Sequence, residues 1–122
     1  MEDFIDDKVD MIISKGCYEG NLNMGSFLLK NSAWSHSLLK KIYDHTFFIH
    51  DPLWEQAAFQ YILQQDPMQL MHVKVLPQRK LNANYGYGDT AYWYQPGDFV
   101  VHFYGPCNKA DLMKNWSEKI VY

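Results

Sequence analysis

Apolar positions along the chain follow two periods, and they alternate. Asp10-Met11-Ile12-Ile13-Ser14 is a short apolar run closed by Gly16, and it predicts a strand. Met24 to Lys30 (MGSFLLK) predicts a second strand, followed by the turn pair Asn31-Ser32. Ser32 is placed to cap a helix over Ala33 to Asp44, where Trp34, Leu38, Leu39 and Ile42 share one face at spacings of three and four. Pro52 opens a second helix running to about Gln65, with Leu53, Ala57, Ala58, Tyr61 and Ile62 as its inner face. Asp66-Pro67 ends that helix, and Val73-Lys74-Val75 alternates as a strand. From Pro77 to Pro96 the chain is rich in Asn, Tyr and Gly and predicts a long loop, of the kind that is usually functional or mobile. Phe99 to Phe103 is the strongest strand signal, and Ala110 to Lys119 predicts a terminal helix.

Strands that alternate with helices favour an α/β layered architecture over a bundle or a sandwich. Three or four short strands make a thin sheet, and the first has no obvious earlier partner. The 122 residues therefore resemble the second half of a larger α/β domain. No internal repeat, low-complexity segment or linker divides them, so they form a single unit, 1–122.

Composition changes this picture only at its edges. Hydrophobic residues make up 48% and charged residues 20%, an ordinary globular balance. Aromatics reach 16%, which suits either a rigid core or platforms for sugar rings. The net charge of −3, with no basic block, argues against nucleic acid as a partner. Cys17 and Cys107 form no CxxC pair, which excludes a zinc knuckle; one disulfide or two free thiols both fit. The acidic start (MEDFIDDKVD) is unlike a signal peptide, and no apolar run approaches the roughly 20 residues that span a bilayer. Asn115-Trp116-Ser117 fits the glycosylation sequon, a weak pointer to a secretory route.

The candidate chemistry starts in the stretch Gly97-Asp98-Phe99-Val100-Val101-His102-Phe103-Tyr104-Gly105, where an apolar strand runs straight into a histidine. Such a residue is either a packed core histidine or a ligand aimed at something. Three other blocks accompany it. They are Leu22-Asn23-Met24-Gly25-Ser26-Phe27-Leu28-Leu29-Lys30-Asn31-Ser32, Trp54-Glu55-Gln56-Ala57-Ala58-Phe59 and Leu76-Pro77-Gln78-Arg79-Lys80-Leu81-Asn82. In this order the four resemble glycosyltransferase family 34, over roughly Leu22 to Cys107. "NxGSFLLxNS" and "PGDFVVHFxG" are the specific blocks. "PQRxLN" is more similar to the fungal mannosyltransferase branch than to the plant branch.

The resemblance implies the C-terminal half of a GT-A, Rossmann-like fold that takes a nucleotide sugar through a divalent metal and transfers the sugar with retention. His102 falls on the family's late metal histidine. Mixed carboxylate, imidazole and phosphate ligation suits Mn²⁺. Gly105 would let the backbone approach phosphate, and Lys109 is either a diphosphate partner or a plain surface lysine. Glu55 and Gln56 fall on an acid-amide pair beside the sugar. There a carboxylate stabilises oxocarbenium-like charge or acts as a nucleophile. The alternative is that Glu55 only favours the positive end of its helix. Trp54 stands where the xylosyltransferases have a further acid. Asn23, Gly25 and Ser26 line the donor-sugar pocket or make a tight turn into the strand. Gln78, Arg79 and Asn82 follow a strand end, where α/β sheets bind ligands, and are assigned to acceptor or phosphate. Arg79 could equally pair with an acid.

Other candidates are weaker. No Walker loop, GxSxG or HExxH occurs, and His36, His45, His50 and His72 read as surface or packed residues. The cluster Tyr85, Tyr87, Tyr92, Trp93, Tyr94 either stacks on sugar rings or caps the core. The ten aspartates include no Asp-x-Asp pair, and the resemblance places that motif upstream, with the nucleotide-binding half. The expected function is transfer of a mannosyl, galactosyl or other hexosyl or pentosyl group to a glycan acceptor. The donor would be GDP-mannose, UDP-galactose or UDP-xylose. The alternative is a non-catalytic glycan-binding module or inactive fragment derived from such an enzyme. Family members are usually anchored in the Golgi membrane, and no anchor lies in these residues.

Overall fold

The computed structural model describes residues 4–16, 20–86, 88–105 and 108–118. Cys17, Cys107 and Tyr87, and with them the question of a disulfide, lie outside the described residues.

A three-stranded sheet forms the framework. Strand β1, Met11–Lys15, is central; β2, Leu22–Leu29, pairs with it antiparallel on one side and β3, Val73–Leu76, parallel on the other. Met11, Ile12, Ile13 and Ser14 are all buried, as a central strand covered on both faces must be. The parallel β1–β3 pair needs a crossover, and two helices supply it. These are α1, Ala33–Asp44, and α2, Trp54–Gln65, joined by a 3-10 turn at Thr46–His50. Met11 and Ile13 of β1, Met24 of β2, Leu38 of α1 and Phe59 and Ile62 of α2 form one core.

Local chemistry sets the element ends. Ser32 caps α1, its hydroxyl accepting from the Ser35 amide at 3.2 Å. The predicted range of α1 matches, but Leu39 lies exposed beside the buried Leu38. Helix α2 begins two residues later than Pro52, because Asp51 makes the preceding turn; its carboxylate accepts from the Leu53 amide at 2.8 Å. The inner face of α2 also turns out to be Ala58, Phe59 and Ile62, while Leu53 and Tyr61 are exposed. Asp10 fastens the sheet end to the crossover. Its carboxylate meets His72 at 2.6 Å, and His72 stacks on Trp34 with centroids 4.8 Å apart. A hydrogen bond from Ser32, then His72, holds the Asp10 carboxyl below its ordinary pKa.

The segment read as a long loop is partly ordered. It holds helix α3, Gln78–Asn82, then the short strand β4, Ala83–Asn84, and a 3-10 turn at Thr90–Tyr92. Gln78, Leu81, Asn82, Ala83 and Asn84 are buried, so the Asn-rich composition that suggested a loop is the composition of a buried polar seam. The strand predicted over Phe99 to Phe103 shrinks to β5, Val101–His102, paired parallel with β4. Helix α4 spans Lys109–Ser117. Among the described residues no helix is long and apolar enough to cross a membrane.

Candidate active site

The register of the β1–β2 pair breaks between Ile13 and Ser14: Ile13 faces Phe27, but Ser14 faces Asn23. Met24, Gly25 and Ser26 bulge out of the ladder. A bulge frees backbone amides that must find other partners, and here two side-chain amides take them. Gln56 Oε1 accepts from the Met24 amide at 3.1 Å, and Asn23 Oδ1 accepts from the Gly25 amide at 2.8 Å. Gln56 thus spans from the first turn of α2 to the bulge.

His102 lies against the same bulge. A Cβ on Gly25 would collide with the imidazole, at 2.8 Å from Nε2. The space left by the glycine is therefore filled by the His102 ring, which explains the small residue in an otherwise bulky strand. On the ring's other side, His102 Nδ1 bonds Asn82 Oδ1 at 2.5 Å. A carbonyl oxygen only accepts, so Nδ1 carries the proton and Nε2 keeps its lone pair. This is the arrangement in which histidine presents Nε2 to a metal or a proton. Burial, and then the nearby Lys109 charge, lower the His102 pKa and so favour the neutral ring.

Asn23, Gly25, Gln56, Asn82 and His102, far apart in sequence, thus meet around one bulge. Glu55 does not join them. It lines a separate groove between α1 and the start of α2, so the acid and the amide of the pair address different surfaces. Arg79 is held by Asp98, with Nε–Oδ distances of 3.0 and 3.1 Å. Gln78 is buried, and neither end of its side-chain amide has a partner among the described residues. Ser26 is half-buried on the bulge, Gly105 has φ +83°, and Lys109 opens α4. The aromatic cluster divides. Tyr85 stacks on Phe103 at 5.3 Å, and Tyr94 meets Trp116 of α4 edge-on at 5.3 Å, so these two are half-buried against other rings, while Tyr92 and Trp93 are more exposed.

Among the described residues no three His, Cys, Asp or Glu side chains converge as a metal site needs. His102 fits one position of such a site: its Nδ1 is anchored and its Nε2 is unprotonated. Its neighbours among the described residues do not supply the remaining ligands.

Two features missed by sequence reasoning organise the site. The bulge is invisible to strand periodicity, and Asn82 acts through His102. The signal for the second was the spacing of Asn82 and Asn84, which places both asparagines on or beside the strand that pairs with β5.

A mixed α/β layer whose bulged strand gathers an imidazole and three amides is consistent with part of a glycosyltransferase domain. The chain belongs to the galactosyl transferase GMA12/MNN10 family, whose model matches residues 3–113. It is 33% identical over 115 residues to a probable alpha-1,6-mannosyltransferase of Saccharomyces cerevisiae, a match covering 84% of this chain and 28% of the relative. An alpha-1,2-galactosyltransferase of Schizosaccharomyces pombe is 31% identical over 101 residues, covering 82% of this chain and 26% of the relative. A probable alpha-1,2-galactosyltransferase of the same yeast is 32% identical over 120 residues, covering 94% of this chain and 35% of the relative. The chain therefore spans about a quarter to a third of the length of these relatives. No solved structure matches it.

Proposed function

We propose that these residues form the donor-sugar and acceptor side of a retaining, GT-A-type glycosyltransferase that moves a mannosyl or galactosyl group from a nucleotide sugar to a glycan. The observation that carries the reading is the cluster at the β2 bulge. His102 is set there with Nε2 unprotonated, across from the strand that would line the sugar. GDP-mannose or UDP-galactose are the donors that the relatives' names favour, and UDP-xylose is the remaining candidate. In this reading His102 would hold a divalent metal such as Mn²⁺ together with ligands from elsewhere, and the metal would supply positive charge for a diphosphate. Gln56 and Asn23 fix the bulge, Asn82 orients the imidazole, and Lys109 adds positive charge nearby. A Golgi location accompanies the same reading.

The test is a titration of the ¹⁵N-labelled chain with Mn²⁺. Paramagnetic broadening centred on His102 and Gly25, and absent from His102→Ala, is the expected result. Broadening confined to surface carboxylates, with His102 untouched, overturns it.

A further inference from the structure

We propose that β1 and α3 bind an internal water molecule between Ser14 and Gln78, and that this water fixes the helix that carries Asn82. Two side chains carry the inference, and neither depends on the transferase reading. Ser14 is 0% exposed and Gln78 4% exposed. Among the described residues, neither the Ser14 hydroxyl nor either end of the Gln78 carboxamide has a hydrogen-bond partner. Buried polar atoms left unpaired are destabilising, and folded proteins rarely keep several of them without an ordered water or ion to meet them.

The topology places both side chains at one interface. Side chains alternate along β1. Met11 and Ile13 enter the core shared with α1 and α2, so Ile12 and Ser14 face the other side of the sheet. Helix α3 packs against β1 and β2, and its buried Leu81 lies outside the α1–α2 core. Ser14 pairs in register with Leu76 of β3, and Gln78 follows two residues later as the first residue of α3. The other buried amides of this seam are already engaged. Asn82 Oδ1 accepts from His102, Asn84 Oδ1 accepts from the Gly86 amide, and Asn84 Nδ2 donates to the Tyr104 hydroxyl.

The set of donors and acceptors identifies the ligand. The buried polar residues among those described are serines, asparagines and Gln78, so no buried charge selects an ion. The Ser14 hydroxyl both donates and accepts, and the carboxamide donates at Nε2 and accepts at Oε1. A direct Ser14–Gln78 bond would satisfy one end of the amide and leave the other orphaned. A water satisfies both ends: it accepts from Nε2–H, donates one proton to Oε1, and keeps a proton or a lone pair for Ser14. These bonds match the roughly three that an internal water makes. The water then ties β1 to the start of α3. Asn82 ends the same helix and holds His102 Nδ1 at 2.5 Å, so Gln78 acts on the imidazole as a positioning residue, through the helix and Asn82.

The experiment records NOE and ROE spectra between water and the ¹⁵N-labelled chain. Cross-peaks of opposite sign in the two spectra from the Gln78 Nε2 protons, the signature of a water that stays bound while the molecule tumbles, are the expected result. They should persist in Ser14→Ala, where no hydroxyl proton can relay them. Their absence from the parent chain, or their loss in Ser14→Ala, overturns the proposal. Urea unfolding supplies a second reading. Ser14→Ala and Gln78→Leu should each lower the folding equilibrium constant roughly tenfold, and the double variant by about the same factor, because both side chains share one partner. A gain in stability from Gln78→Leu would mean that nothing meets the amide, and a loss of about a hundredfold in the double variant that the two sites are independent; either result overturns the proposal. Gln78→Leu should also move the His102 ring nitrogens in long-range ¹H–¹⁵N spectra and leave those of His36, on α1, in place. Unmoved His102 signals would remove the positioning role.

Discussion

His102 shows how little a residue's identity says without its neighbours. The ring touches Asn82 on one side and the bare Cα of Gly25 on the other, and each contact makes a prediction. Asn82→Leu removes the acceptor that keeps the proton on Nδ1. The tautomer should then shift toward the Nε2–H form, visible in long-range ¹H–¹⁵N spectra of the imidazole, with a stability loss of about 1–3 kcal/mol for the orphaned donor. An unchanged tautomer would show that Asn82 does not set it. Gly25→Ala forces the ring out or the bulge open, at a cost of about 1–3 kcal/mol in urea unfolding. A neutral alanine would mean that the ring is not packed there. Asp10 carries the pH dependence. Its carboxyl is held below its ordinary value in the folded chain, by Ser32 first and then His72. The stabilisation is thus complete above the unfolded pKa and disappears as pH falls through the lower, folded one. Urea midpoints between about pH 5 and pH 3 should fall more steeply for the parent chain than for Asp10→Asn. Parallel slopes would remove Asp10 from the account.

Elements were legible where local chemistry and packing agree. Helix α1 has an apolar stripe and a serine cap, and its range follows from both; Ser32→Ala should cost about 1 kcal/mol, read as a drop in the urea midpoint with an unchanged slope. Strands β1 and β3 are short apolar runs, and they occur where the pattern puts them. Three things were hidden, each for a physical reason. The inner face of α2 centres on Phe59 rather than on Leu53 and Tyr61: the Asp51 turn leaves Leu53 outside the helix, and Ala58, Phe59 and Ile62 are the residues it buries. The segment after Pro77 is buried through asparagines, which composition reads as loop. And Phe99-Val100-Val101-His102-Phe103, the most strand-like pentapeptide, keeps only two residues in a ladder, because β4 is two residues long. Of the residues that meet at the bulge, His102, Gln56, Gly25 and Asn23 all lie in the motif blocks. The contacts that join them depend on a bulge that no periodicity announces, and the same blocks could not show that Glu55 turns to another surface.

At the scale of the whole molecule, the question is what these residues can do together. A three-stranded sheet, two crossover helices and the short β4–β5 pair with its buried asparagines bring His102 and Gln56 to the β2 bulge. Metal affinity, however, comes from several ligands fixed at once, and among the described residues His102 has no second ligand beside it. Mn²⁺ should therefore bind the chain weakly. On the proposed reading, a departing diphosphate without a firmly bound metal would be left with Lys109, the cation near His102 among the described residues. The 122-residue chain, supplied with Mn²⁺ and either GDP-mannose or UDP-galactose, should release nucleotide no faster than a His102→Ala control. Rapid, His102-dependent turnover would mean that the chain completes a metal site by a route this fold does not reveal, and the proposal that the further ligands come from elsewhere would be wrong.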